Sequence, residues 1–154
     1  MILRFFRPAK NLKVIRSTSV YLIGDECYIP VHGETTRGLP VVTGPVLQSS
    51  IVDERRLGET ALEAIGLFRY NVDLDKDLQK VSPLVSAARK KNWTEFVKAT
   101  SKYASVVQIE NNITVHPSKK VGTKGYDGCG ESIMGSEEPK ELGEAIIKAL
   151  ELSQ

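Results

Sequence analysis

The chain contains an internal repeat, and that repeat restricts its possible folds more than any other feature. Ile113-Thr-Val-His116 precedes a loop rich in Lys and Gly and then Leu142-Gly-Glu-Ala-Ile-Ile-Lys-Ala-Leu150. The first half carries Ile29-Pro-Val-His32, another Gly-rich loop and Leu57-Gly-Glu-Thr-Ala-Leu-Glu-Ala-Ile65. The strand motifs lie 84 residues apart and the helix motifs 85, so one residue of slack aligns both pairs. Gly38 and Gly44 match Gly122 and Gly128 on the smaller offset. A strand-rich unit ending in a helix, present twice, is the expected scaffold.

Local patterns fill in that scaffold. Val14 to Ile23 is β-rich, Gly24-Asp25-Glu26 is a turn, and Cys27 to Val31 returns as the second strand of a hairpin. Leu39 to Leu47 predicts a third strand, and Pro40 and Pro45 confine it to an edge. Asp53 can cap a helix whose stripe is Leu57, Ala61, Leu62, Ile65 and Phe68. Gly58 inside that helix costs about 1 kcal/mol relative to Ala. Gly143 repeats it in the second copy, which predicts close approach to a strand or to the partner helix. Asn71 to Lys80 is charged and aperiodic, a connector. Ser82-Pro83 then starts one short helix, and Trp93, Phe96 and Val97 mark one side of another. Trp93 at that spacing reads as a core anchor. In the second copy Ser105 to Ile109 and Ile113 to Val115 form a hairpin, Tyr126 to Met134 is a strand region broken by glycines, and Ser136 can cap the last helix. The fold class is α+β: two pseudo-symmetric repeats of antiparallel sheet plus helix with a helical connector between them. Repeat one covers about 14–68, the connector about 71–103 and repeat two about 105–150, within a single domain of 154 residues.

Composition narrows the function. Two cysteines, Cys27 and Cys129, fall at non-equivalent places in the copies and are too few for a disulfide framework, so reduced thiols and a cytoplasmic location are expected. No apolar run reaches transmembrane length, and no membrane partner is expected. Met1 to Arg16 is basic and free of acids, but Pro8, Lys10 and Lys13 interrupt any apolar run, so the segment reads as a first strand or arm rather than a targeting peptide.

No chemical constellation stands out. His32 and His116 match in the repeat, and if the copies meet about a twofold axis the imidazoles could share a metal or a proton. No His, Cys and Asp cluster at ligand spacing accompanies either, and a strand-end polar residue is the favoured reading. Gly122-Thr-Lys-Gly-Tyr-Asp-Gly-Cys-Gly130 lacks the Gly-Lys-Ser/Thr ending of a phosphate loop, and Cys129 has only His116 near it in sequence and no helix end to activate it as a nucleophile. The expectation is a protein with no catalytic residues, no metal and no cofactor. Charge, by contrast, is segregated. Met1 to Arg16 sums to +5, and Arg89, Lys90, Lys91, Lys98 and Lys102 against Glu95 give +4. Glu131 to Glu151 sums to −4, while the whole chain carries only +2. A chain of this kind suits the binding of an oppositely patterned macromolecule.

The two Leu-Gly-Glu helices, the Trp93-x-x-Phe96 helix and the strand pair from Ser105 to His116, in that order, resemble immunity proteins of bacterial contact-dependent growth inhibition systems. The resemblance runs from about Val14 onward. It implies a fold similar to Whirly single-stranded DNA-binding proteins, with two antiparallel sheets, each followed by a helix. It also implies a heterodimer with the C-terminal toxin domain delivered by a neighbouring cell. Nucleases pair with this family, among them a ribonuclease A-like type, so a ribonuclease is the expected partner. An inhibitor of a basic nuclease is expected to be acidic, and the segments Asp53–Asp77 and Glu131–Glu151 can supply a local negative face. Toxin contacts are expected in the polar loops after the two matched strands: Glu34 and Arg37 in the first, Lys119, Lys120, Lys124, Tyr126 and Asp127 in the second. Tyr126 is the expected anchor. The competing function is single-stranded nucleic-acid binding; the Lys-Gly-Lys loop that tracks DNA in Whirly proteins has no clear match, so nucleic acid is not the expected partner.

Overall fold

The structure, a computed structural model, describes residues 15–77, 81–122 and 125–154. The expectation of a strand or arm before Ile15 lies outside the described residues. Strands β1 (Ile15–Ile23), β2 (Glu26–Thr35) and β3 (Pro40–Ser50) lead into helix α1 (Glu54–Gly66). A connector follows with β4 (Arg69–Val72), α2 (Leu74–Asp77), α3 (Pro83–Ala87) and α4 (Trp93–Ala99). Then β5 (Lys102–Ile109), β6 (Asn112–Val121), β7 (Gly125–Gly128) and β8 (Ile133–Met134) end in α5 (Pro139–Leu152). The α+β class, with strands then helix in each half, is what the repeat implies.

The two halves join edge to edge. The strand order is β3-β2-β1-β5-β6-β7, with β8 also on β6, so one sheet forms where the resemblance implied two. The seam is the antiparallel β1–β5 ladder, in which Val20 pairs with Ala104. These residues are also equivalents in the repeat, 84 positions apart, so the pseudo-twofold axis passes between them. Fusion follows from the side chains: Val20, Ala104 and Val106 are fully buried at the seam, and an open edge there would leave a row of unpaired backbone groups.

Both long helices cover one face of this sheet. Val20, Ile29, Val106 and Val115 meet Leu57, Ala61, Leu142 and Ile146 in a single core. Asp53 caps α1, its carboxylate accepting from the Arg56 amide at 3.0 Å. The equivalent residue, Glu138, caps α5 by accepting from Glu141 N at 2.7 Å. That bond holds the Glu138 carboxyl below its ordinary pKa. Ser136, expected as the cap, instead accepts from Glu138 N at 3.1 Å and donates to the Glu141 carboxylate at 3.2 Å. The longer Glu138 side chain reaches the orphan amide, and the serine sits two residues too early to do so.

The connector is more ordered than its sequence implies. Part of the aperiodic stretch Asn71–Lys80 is regular: Val72 ends β4, which runs parallel to β2, and α2 follows. Gly33 permits this approach, since a Cβ there would lie 2.6 Å from the Arg69 carbonyl oxygen. The strand has only Val72 buried, so no alternation advertises it. Helices α3 and α4 cross the other sheet face, where Leu84, Val85 and Phe96 pack on Tyr21. Trp93 stacks on Phe96 at 5.3 Å between ring centroids and joins that cluster, as a core anchor should. Tyr126 to Met134 resolves into two separate strands, β7 and β8, both on β6.

Candidate partner-binding surface

The matched histidines do not converge. His32 sits on β2 and His116 on β6, with β1 and β5 between them. Three strand spacings separate the two by about 14 Å, too far for a shared ion or proton. The His32 ring contacts Ser17 Oγ through Nδ1 at 3.1 Å and Ser19 Oγ through Nε2 at 2.9 Å. Burial pushes the imidazole down from 6.5 to about 4, so it is neutral at physiological pH. A neutral ring has one donor and one acceptor, so one serine accepts and the other donates. A ring that weak as a base, with no carboxylate bonded to it among the described residues, is poorly suited to activating a serine hydroxyl. The arrangement is a clamp between β1 and β2. His116 is satisfied within its own strand, with Nε2 at 3.0 Å from Thr114 Oγ1. Among the described residues no three His, Cys, Asp or Glu side chains gather as a metal site.

The cysteines separate by environment. Cys27 is fully buried in the main core, and burial raises its thiol to about 12. Cys129 is half-buried beside the end of α5, with its sulfur 3.9 Å from the Leu152 carbonyl oxygen. The glycine-rich stretch around it belongs to the β6–β7 hairpin and its exit.

The residues expected to contact a partner fall at two opposite corners of the sheet. Glu34 pairs with Pro40 near the end of β2, and Arg37 is exposed in the following turn, which Thr35 Oγ1 holds by accepting from the Arg37 and Leu39 amides. Beside that turn lies a hollow of about 390 Å³ walled by Thr36, Arg37, Leu39, Asn71 and Leu74. Lys119, Lys120, Tyr126 and Asp127 lie in the β6–β7 ladder, where Lys119 pairs with Asp127 and Lys120 with Tyr126. Lys124 lies outside the described residues. The β2–β3 turn is at the Ile15 end of the sheet and the β6–β7 turn at the Lys102 end, on opposite edges. The repeat itself causes this separation, because a twofold axis through the seam sends equivalent loops to opposite corners.

Tyr126 is half-buried. Its ring stacks on Tyr103 at 4.4 Å and meets Tyr21 edge-on at 5.7 Å. Its hydroxyl is buried with no hydrogen-bond partner among the described residues, and burial raises its pKa. The sequence carries little trace of the clamp on His32. Serines 17 and 19, alternating on one strand, are its sole signal there, and strand alternation alone does not say which side chain they meet.

No protein-family profile matches the sequence, and no curated protein sequence matches it. Solved structures do resemble the fold. A protein of unknown function from Neisseria meningitidis superposes with a TM-score of 0.73 at 17% identity, over 94% of this chain and 98% of that one. A chain of the CdiA-CT/CdiI toxin and immunity complex from Yersinia pseudotuberculosis superposes with a TM-score of 0.72 at 18% identity, over 93% of this chain and 100% of that one. At this identity the likeness is one of fold.

Proposed function

We propose that this chain is an immunity protein: it binds the C-terminal toxin domain of a contact-dependent growth inhibition system as a heterodimer and neutralises it by non-covalent occlusion. The carrying observation is that the whole of a chain from a toxin and immunity complex shares this fold. The toxin is a nuclease on this reading, with a ribonuclease A-like enzyme favoured by the resemblance in the motif order. The chain acts in the cytoplasm, where an incoming toxin meets it, and performs no chemistry of its own. Support comes from the state of its reactive groups: His32 is neutral and doubly hydrogen-bonded, and the Cys27 thiol stays protonated.

Single-stranded nucleic-acid binding fits less well. Such binding stacks bases on presented aromatic rings. Here Tyr21, Tyr103, Tyr126 and Trp93 pack against one another and against Phe96.

The test is direct. A candidate toxin domain, taken from the C-terminus of any large secreted protein found to be encoded beside this gene, is mixed with the chain in inactivated form, and binding is measured by calorimetry. Neutralising a lethal enzyme calls for roughly nanomolar affinity. Co-expression should also restore growth to cells making the active domain. Micromolar binding, or no rescue, overturns the proposal.

A further inference from the structure

The connector is the largest element without a counterpart in the repeat, and it covers one end of the sheet face opposite the long helices. Its outer side is basic. On α4 the buried residues are Phe96 and Val97, which leaves Glu95 and Lys98 exposed, with Lys91 in line at the start of the helix. The one acid in this row is already engaged: the Glu95 carboxylate accepts from the Lys91 amide at 3.2 Å, fastening the turn that enters α4. From the neighbouring sheet, Lys120 reaches over and its Nζ lies 3.4 Å from the Lys98 carbonyl oxygen. Two basic segments separated by 22 residues in sequence thus meet on one surface. A hollow of about 250 Å³ adjoins them, with Val81, Val85 and Trp93 as its apolar walls and Lys91 and Asn92 at its rim. A space of that size takes one side chain rather than a cofactor.

Resting on the immunity reading above, we propose that this connector face, with the Trp93 hollow and Lys91 at one end of α4 and Lys98 and Lys120 at the other, is where the toxin docks, and that the toxin surface it recognises is acidic with a projecting apolar side chain. An apolar pocket flanked by charges of one sign is the pattern of a protein interface with electrostatic steering. A polynucleotide is the poorer occupant, because the Trp93 ring is half-buried and stacked on Phe96, which leaves it unavailable as a stacking platform. The choice also resolves a conflict of charge. A slightly basic chain does not need to mimic nucleic acid in a phosphate cleft if it grips an acidic surface beside that cleft and blocks entry by its bulk.

The experiment compares the full-length chain with Lys91→Glu/Lys98→Glu/Lys120→Glu and, as a control on the opposite side of the sheet, Lys148→Glu. The probe is the same inactivated candidate toxin domain, at low and at physiological salt, with thermal melts confirming that each variant is folded. The triple reversal should slow association and weaken binding by about a hundredfold or more, and the control should stay within about twofold. Val81→Trp, at an exposed wall of the hollow, should also weaken binding. If the wild-type chain binds no toxin, the immunity reading fails and takes this surface with it. If the wild-type chain binds and the triple reversal binds equally well, the docking surface alone is wrong. A single-stranded 20-nucleotide oligomer serves as the second probe: steep, salt-sensitive retention lost in the triple reversal would reassign the surface to nucleic acid.

Discussion

Gly58 on α1 and Gly143 on α5 mark the crossing of the two long helices, and each faces the backbone of the other. A Cβ at Gly58 would overlap the Pro139 carbonyl oxygen, and one at Gly143 would overlap that of Glu54. Pro139 and Glu54 are themselves equivalent in the repeat, so the contact is made twice about one axis. The sequence had left open whether these glycines meet a strand or a helix.

The crossing predicts that Gly58→Ala and Gly143→Ala each destabilise the fold despite the better helix propensity of alanine. Propensity favours the change by about 1 kcal/mol, while overpacking against backbone costs about 1–3 kcal/mol with no flexible side chain to move aside. Because the added Cβ would overlap a backbone carbonyl, the upper end of that cost applies, and a net loss of about 2 kcal/mol is expected in chemical unfolding, similar at both sites. The double variant should lose less than the sum, because the first substitution already spreads the shared crossing. Unchanged or raised stability in either single variant contradicts the geometry.

The His32 clamp predicts loss of stability on acidification. Its pKa falls from 6.5 to about 4 on folding, so below pH 6.5 the unfolded chain holds the proton that the folded chain refuses. The contribution is therefore complete above pH 6.5 and declines as pH drops toward 4. About 2 kcal/mol of it is gone by pH 5, on the linkage relation between shift and free energy. His32→Gln removes the titration, so its difference from wild type in unfolding free energy should shrink between pH 7.5 and pH 5. A difference independent of pH would show that the ring is not held neutral by burial.

Much of the fold was legible because it rests on repeated, periodic residues. The stripes Leu57–Ala61–Ile65 and Leu142–Ile146–Ala149 fixed both helices, and the turn at Gly24-Asp25 fixed the first hairpin. What was not legible depends on partners distant in sequence. The β1–β5 seam is set by the burial of Val20 against Ala104, which no local pattern encodes. Residue β-propensity could not reveal β4, whose place depends on Gly33 admitting a neighbouring backbone. The candidate contacts lie apart for a related reason. Loops chosen for their equivalence in the repeat are the ones a twofold axis sends apart, whereas Lys98, in the connector and without a counterpart, adjoins Lys120.

The two cysteines should react at different rates. Cys129 is half-buried, while Cys27 is fully buried with its thiol raised to about 12. Because the thiolate is the reacting species, a disulfide reagent at pH 8 should modify one thiol per chain readily and the second only on unfolding. Cys129→Ser should leave no readily modified thiol in the folded protein. Rapid modification of that variant is the result at odds with the buried placement.

Tyr126 yields the sharpest test of packing against recognition. Its ring is held by Tyr103 and Tyr21, but its hydroxyl is buried without a partner among the described residues. Burying an unsatisfied hydroxyl costs about 1–3 kcal/mol, so Tyr126→Phe, which keeps the ring, should stabilise the fold by about 1 kcal/mol. Tyr126→Ala, which removes the ring from the aromatic cluster, should instead cost about 2–4 kcal/mol. The pair also separates two roles. If Tyr126 turns outward on binding to give its hydroxyl to the toxin, Tyr126→Phe gains stability but loses affinity. If the residue only packs the connector onto the sheet, the same variant gains stability and binds as tightly as wild type. Destabilisation by Tyr126→Phe contradicts both, and would show that the hydroxyl is bonded to the side chain of Thr100 beside it.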